Sequence, residues 1–171
     1  GSPLEKNCRS ISNSQFHFKS IPMKKVVSLE AFVALYQYVS KNNFDIIHTH
    51  SSVDSWLGGI VGKLSKVPVV RTRHVSLPVK DFFPNHLLYS HIPKRILTSG
   101  SMISNIIKEI RCVDSSNVVS VPAGVDLRKF NSSISGEKIR EELKVDPGQF
   151  LVGKIGVIRG WKGHNYFLEA I

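Results

Sequence analysis

Three short polar clusters hold side chains able to do chemistry. The first is His48-Thr49-His50-Ser51-Ser52 with Asp54, the second Arg71-Thr72-Arg73-His74, and the third Arg159-Gly160-Trp161-Lys162-Gly163-His164. In the first, two histidines separated by one residue on a strand point to one face. Such a pair can ligate the metal of a hydrolase if later strands add ligands, or it divides into one hydrogen-bonded core His and one loop His. No HExxH motif accompanies it. Ser51 and Ser52, at the start of the next helix, suit an anionic or polyhydroxyl ligand. In the second cluster, Arg71 and Arg73 can bind phosphate and set the titratable imidazole of His74 beside it. The competing reading is a solvated loop, although Pro78 and Pro84 give the segment a defined shape. In the third, the glycines let backbone N–H groups approach a phosphate while Arg159 and Lys162 add charge at a helix start. It lacks the GxxxxGK[ST] spacing of a P-loop, and an ordinary helix start is its alternative.

Alternating strands and helices position these clusters. Apolar residues Leu29, Phe32, Val33, Leu35, Tyr36 and Val39 recur at helical spacing behind Ser28, a suitable N-cap. Residues 44–48 read as a short buried strand, and 53–66 as a helix with Trp56, Leu57, Ile60, Val61 and Leu64 on one side. Residues 67–71 form the next strand, followed by a Pro-, Ser- and Arg-rich loop and a short helix over 85–90. Strands at 95–98 and 117–121 flank a helix at 101–111 whose core face is Met102, Ile103, Ile106, Ile107 and Ile110. This alternation marks a parallel sheet with crossover helices, whose ligands bind at the carboxyl ends of the strands. The polar stretch 1–21 holds at most one weak strand around Phe16-His17-Phe18. After Pro122-Ala123-Gly124 the chain becomes charged, with one helix over 137–143 and a turn at Asp146-Pro147-Gly148. A strongly apolar strand is expected over 150–158, then a helix after His164.

Composition narrows the function classes. The 171 residues include 23 Lys+Arg against 13 Asp+Glu, a formal net charge of +10, with 42% hydrophobic and 21% charged residues. That is ordinary globular composition, long enough for a core without disulfides or metal. No apolar run approaches the roughly 18 residues that span a membrane, and no secretory signal opens the chain. Cys8 and Cys112 fit no zinc spacing and read as reduced thiols of a cytosolic protein. The positive charge suits nucleic acid, an anionic membrane surface or a phosphorylated substrate. Nucleic acid fares worst, because the charge is spread along the chain and no RNP, zinc-finger or helix-turn-helix pattern is present.

Taken in order, DIIHTHSSVDSWLGG, VPVVRTRHVSLPV, ILTSGSMISNIIKEI, VVSVPAGVDLRKF and VGKIGVIRGWKGHNYFLEAI resemble glycosyltransferase family 4, and more narrowly its bacterial members that build lipopolysaccharide or other surface glycans. The resemblance covers the chain from about Ser20 onward. It implies a GT-B fold, two Rossmann-like domains across a cleft, of which residues 1–121 are a partial acceptor-side domain. Residues 122–147 are then the interdomain linker, with Gly124 and Asp126 as its hinge, and 148–171 the start of the donor-binding domain. The implied activity is transfer of a sugar, with retention of anomeric configuration, from a nucleotide-diphosphate sugar to a glycan or lipid-linked acceptor.

By the same resemblance, His74 matches the cleft histidine near the donor sugar or its phosphate. Lys162 and Arg159 fall where a basic pair grips the donor diphosphate, while His50, Ser51, Ser52, Asp54 and Arg73 line the acceptor side. Only Gly160 and Trp161 separate Arg159 from Lys162, fewer than in many members. No cofactor and no metal is expected, the nucleotide sugar being a substrate. The expected location is cytoplasmic, peripheral on the inner face of the cytoplasmic membrane, without nucleic-acid partners. The Gly-rich loop usual before this region and the paired Glu motif of the second domain are missing from the sequence. The chain is therefore expected to be an interior cut of a longer enzyme and inactive alone. Two other classes compete: a non-catalytic nucleotide- or carbohydrate-binding module or pseudoenzyme, and a metal-dependent hydrolase built on His48 and His50.

Overall fold

The computed structural model describes residues 3–11, 16–23 and 28–171. The chain divides into two compact units, Gly1–Gly124 and Val125–Ile171.

The first unit holds a four-stranded parallel sheet in the order β1 (Ile47–Thr49), β2 (Val69–Arg73), β3 (Arg95–Thr98) and β4 (Val118–Ser120). Around it stand α1 (Pro3–Ser10), α2 (Leu29–Lys41), α3 (Ser52–Leu64), α4 (Phe83–His86), a π turn (Leu87–His91) and α5 (Ser101–Lys108). This is the expected Rossmann-like α/β arrangement. Strand order follows chain order, and crossovers of one hand that always step the same way lay their helices on one face of the sheet. Burial agrees. The paired row Thr49, Arg71, Ile96 and Val118 is buried, and Ile96 and Val118 pack with Leu88, Tyr89, Ile107 and Ile110 as the core. On the opposite face His48 and Val119 are exposed, while Val70, Thr72 and Leu97 are half-buried.

Two helix starts have sequence-legible causes. The Ser28 side chain accepts from the Ala31 N–H and opens α2. Ser51 and Asp54 form a reciprocal capping box that opens α3. Each of two strand ends is also tied to the helix that follows it. The Ser55 hydroxyl donates to Thr49 Oγ1 at 3.1 Å, and the Thr98 and Ser104 hydroxyls share a hydrogen bond at 2.6 Å, all four residues being buried. A buried hydroxyl without a partner is costly, so these pairs fix how each helix docks on its strand.

Several expectations move. The helical face of α3 that packs inward is made of small residues, Ser55, Gly58, Gly59 and Gly62 with Leu57 and Val61, whereas Ile60 and Leu64 are exposed. Close approach to the sheet selects for the missing side chains, which a hydrophobicity pattern does not register. In α2 only Ala31 and Val39 are buried, and Leu29, Val33 and Tyr36 are exposed. Met102 in α5 is likewise exposed. Strand β1 starts at Ile47 rather than Phe44, and β2 runs to Arg73, because the parallel pairing of Ile47 with Val69 begins one residue past Pro68. Residues 16–18 form no strand, and the polar N-terminal stretch contains α1 instead.

The second unit contains α6 (Glu137–Leu143), a 3-10 turn (Gly160–Lys162) and α7 (His164–Glu169). The turn after Asp146 closes through the Gln149 N–H donating to the Asp146 carbonyl at 3.0 Å. The strand expected over 150–158 is absent. A strand exists by its ladder, and no described segment pairs with these residues, whose apolar side chains, such as Phe150, Ile155 and Ile158, are exposed.

Candidate functional site

The carboxyl edge of the sheet gathers two of the three polar clusters. Beyond β1, the Asp54 carboxylate accepts from the backbone N–H groups of His50 at 2.8 Å and Ser51 at 2.6 Å. This anchors the β1–α3 turn and fixes the His50 backbone. The His50 ring then stacks on His74, with centroids 5.3 Å apart and planes 10° from parallel, and His50 Nδ1 lies 3.0 Å from His74 Nε2. His48 completes the row, its ring centroid 4.2 Å from that of His50 and its Nε2 2.6 Å from Thr72 Oγ1. Strand alternation explains the grouping: residues 48 and 50, and 72 and 74, follow the two-residue period along adjacent paired strands.

The contact between His50 and His74 constrains protons. A hydrogen bond needs one donor and one acceptor, so one of these two nitrogens carries a proton and the other does not. If His50 Nδ1 donates, neutral His74 carries its proton on Nδ1; if His74 Nε2 donates, its Nδ1 is an acceptor. The tautomer of His50 therefore sets what His74 offers to a ligand. Two imidazolium rings would both be donors and break the contact. His48 is held below its ordinary pKa, first by partial burial and then by the neighbouring His50 and His74 rings, with Asp54 opposing.

Arg71 and Arg73 lie on the other, helix-covered face. Arg71 is 4% exposed; one of its guanidinium nitrogens donates to the Leu88 carbonyl at 3.3 Å and another to the Tyr89 hydroxyl at 3.0 Å. Arg73 donates to the same Tyr89 oxygen at 2.6 Å and to the Leu77 carbonyl at 2.5 Å. The Arg71 guanidinium also sits 4.0 Å from the Tyr89 ring centroid. Neither arginine makes an ion pair with a carboxylate among the described residues, and the Nε of each is buried without a hydrogen-bond partner. Burial lowers the Arg71 pKa from its ordinary value, against the pull of Tyr89. Two donors on one oxygen stand within about 6 Å of each other, where like charges repel by about 3 kcal/mol at an effective dielectric near 20. Both line a cavity of about 310 Å³ with Ser52, Trp56, Lys80 and Tyr89.

The structure thus brings together His50, Ser51, Asp54 and His74, and sets Ser52 with Arg73. In the second unit Arg159 stacks over Trp161 at 5.3 Å and its carbonyl accepts from the Lys162 N–H at 2.9 Å. Gly163 follows in the left-handed region, its φ of 65° ending the 3-10 turn where α7 begins. Its carbonyl accepts from Lys154 Nζ at 2.8 Å. Asp126 is engaged by Arg128 through two side-chain bonds of 3.0 Å, which hold its carboxyl below the usual range. Gly124 ends the first unit. Among the described residues no group of three His, Cys, Asp or Glu side chains can hold a metal, so the hydrolase reading of His48 and His50 finds no third ligand. Tyr89, Trp56 and Lys80 join the site without a site signal of their own in the sequence. The signal available was the two-residue period of VVRTR, which puts Arg71 and Arg73 beside core Val69.

The sequence model of Glycosyltransferase Family 4 matches residues 4–129. The chain belongs to glycosyltransferase family 4. A second comparison finds the UDP-Gal:alpha-D-GlcNAc-diphosphoundecaprenol alpha-1,3-galactosyltransferase of Escherichia coli, 30% identical over 155 residues, covering 85% of this chain and 40% of that protein. The D-inositol 3-phosphate glycosyltransferase of Actinosynnema mirum is 26% identical over 148 residues, covering 75% and 34%. This family 4 chain therefore spans less than half the length of these relatives. In structure it resembles Anabaena Alr3699/HepE in complex with UDP and glucose, with a TM-score of 0.66 at 16% identity over 91% of this chain and 44% of that one. That likeness shows the fold. No described helix is long and apolar enough to cross a membrane.

Proposed function

We propose that the whole protein transfers a sugar from a nucleotide-diphosphate sugar to a glycan or lipid-linked acceptor, with retention of configuration, in surface-polysaccharide synthesis. The observation that carries this reading is the hydrogen-bonded His50–His74 pair, fixed by Asp54 at the carboxyl edge of a family 4 sheet. In the reaction an acceptor hydroxyl oxygen bonds to the anomeric carbon as the bond from that carbon to the phosphate oxygen breaks. The nucleoside diphosphate leaves with the electron pair, and the hydroxyl proton passes to it or to solvent. His74 uses its Nδ1, which makes no hydrogen bond among the described residues, to hold the donor sugar or its phosphate. His50 is a positioning residue that fixes the His74 tautomer. Lys162 and Arg159 grip the diphosphate, where charge stabilises the leaving group as it becomes negative. Ser51, Ser52 and Arg73 face the acceptor, with Gly124 and Asp126 at the hinge. No metal is required for these steps, and the basic surface rests on anionic lipid at the cytoplasmic face of the membrane.

Incubation of the whole polypeptide with labelled UDP-galactose or UDP-glucose and a diphospholipid-linked sugar tests the reading. Labelled lipid product from the whole polypeptide, and none from the 171-residue chain, is expected. Failure to transfer from any nucleotide sugar, or transfer by the 171-residue chain alone, contradicts it.

A further inference from the structure

We propose that the cavity lined by Arg71, Arg73, Lys80, Tyr89, Trp56 and Ser52 is a binding site for a phosphate or diphosphate ester, and that it receives this group of the acceptor. The assignment of the ligand to the acceptor rests on the transferase reading above; the anion site itself does not.

Four observations converge. Two guanidinium groups meet on the single hydroxyl of Tyr89, an arrangement of like charges that a bound anion would relieve. No carboxylate pairs with either arginine among the described residues, although a buried cation ordinarily keeps a counter-ion. The Nε atoms of both arginines are buried without a hydrogen-bond partner among the described residues, so neither guanidinium group is fully satisfied by the fold itself. The cavity, about 310 Å³, also receives Ser52, the first residue of the 13-residue helix α3, and Lys80 from the loop after β2. The Lys80 ammonium and the two guanidinium groups present positive potential from two sides, while the Asp54 carboxylate at the start of α3, which acts on Arg71 without forming an ion pair, offsets part of it.

Geometry separates this site from the histidine row. Residues 71 and 73 alternate with 72 and 74 along the chain, so the arginines lie under the helix layer while His48 and its partner Thr72 lie on the open face. Both groups nonetheless lie at the carboxyl edge of the same strand. An acceptor anchored by its phosphate under the helices can extend its sugar around that edge toward His50 and His74. The aromatic walls of Trp56 and Tyr89 suit the sugar or lipid carbons next to the phosphate.

Isothermal titration of the 171-residue chain with inorganic pyrophosphate and with inorganic phosphate, at constant ionic strength, tests the site. The titrations use an Arg159→Ala/Lys162→Ala background so that any diphosphate contact there is removed. Saturable one-to-one binding of at least one of the two anions is expected. Arg73→Gln and Lys80→Ala should each weaken it by about tenfold or more, the scale of losing one charge-assisted contact. Arg71→Gln is read alongside, with thermal melting to confirm folding; should it unfold, the other two variants decide. Absence of saturable binding, or binding unchanged in Arg73→Gln and Lys80→Ala, overturns the proposal. Anion binding by the chain together with absence of sugar transfer by the whole polypeptide would refute the transferase reading and leave the anion site standing. Transfer that is equally efficient to phosphate-free acceptors would remove the site's acceptor role alone.

Discussion

Replacing Gly62 by alanine should destabilise the first unit, although glycine-to-alanine changes within helices ordinarily stabilise. Gly62 lies inside α3, where alanine normally gains about 1 kcal/mol from helix propensity. A Cβ at this position, however, would stand 2.4 Å from Val69 Cγ2, 3.0 Å from the Val67 carbonyl oxygen and 3.4 Å from Ile47 Cδ1. None of these neighbours yields readily. Val69 is β-branched, with restricted χ1 freedom, on a strand bonded on both sides. The Val67 N–H donates to the Gly62 carbonyl at 2.9 Å, which holds the two backbones together. Forcing extra carbon into such a site costs about 1–3 kcal/mol, and the clash here falls at the upper end. Net of propensity, the loss is about 1–2 kcal/mol, or several degrees in Tm for a unit of this size. Urea denaturation followed by far-UV circular dichroism measures it. Truncating the obstructing side chain with Val69→Ala should make Gly62→Ala neutral or favourable in that background, a coupling of about 1–2 kcal/mol. A Gly62→Ala protein more stable than its parent refutes the close-approach reasoning.

Two further outcomes follow from the histidine edge. Asp54→Ala leaves the N–H groups of His50 and Ser51 without their acceptor and should cost about 1–2 kcal/mol by the same denaturation assay, with Asp54→Asn recovering part of it. His48 is held below its ordinary value of 6.5, so between its lowered folded pKa and about 6.5 the unfolded chain binds more protons than the folded one. Its contribution to stability is complete above about pH 6.5 and is lost as the pH falls through that interval. Denaturation midpoints should fall with acidification, and His48→Gln should flatten the slope across it.

Much of this architecture was legible because period and punctuation agree. The strand at Arg95–Thr98 and the helix Glu137–Leu143 sit where the sequence pattern puts them, bounded by polar or glycine residues. Ser28 and the Ser51–Asp54 pair announce helix starts through side-chain chemistry that needs no tertiary context. The inward face of α3 was hidden for the opposite reason: glycines that admit the sheet are invisible to a search for hydrophobic residues. Residues 150–158 fail as a strand because apolar composition supplies the propensity but not a hydrogen-bonding neighbour. At the site, His48 and His50 on the β1 side and His74 on the β2 side are readable as strand-end groups. The Nδ1–Nε2 contact of His50 and His74 depends on the register of Ile47 with Val69, which no local pattern encodes. The sequence groups Arg71 and Arg73 with His74 as one phosphate-binding cluster, yet strand alternation sends the arginines to the other face. Tyr89, eighteen residues beyond Arg71, joins them only through the folded π turn.

The claim that transfer takes place against the His50–His74 pair is tested most directly by the turnover of His74→Ala in the whole polypeptide, at saturating nucleotide sugar and acceptor. The pair requires kcat to fall by about 100-fold or more, the scale of losing one preorganised hydrogen-bonding group at a developing charge, with the melting temperature of the first unit unchanged. Turnover within a few-fold of the parent enzyme, in a protein that melts normally, would contradict the placement of the reaction at this edge.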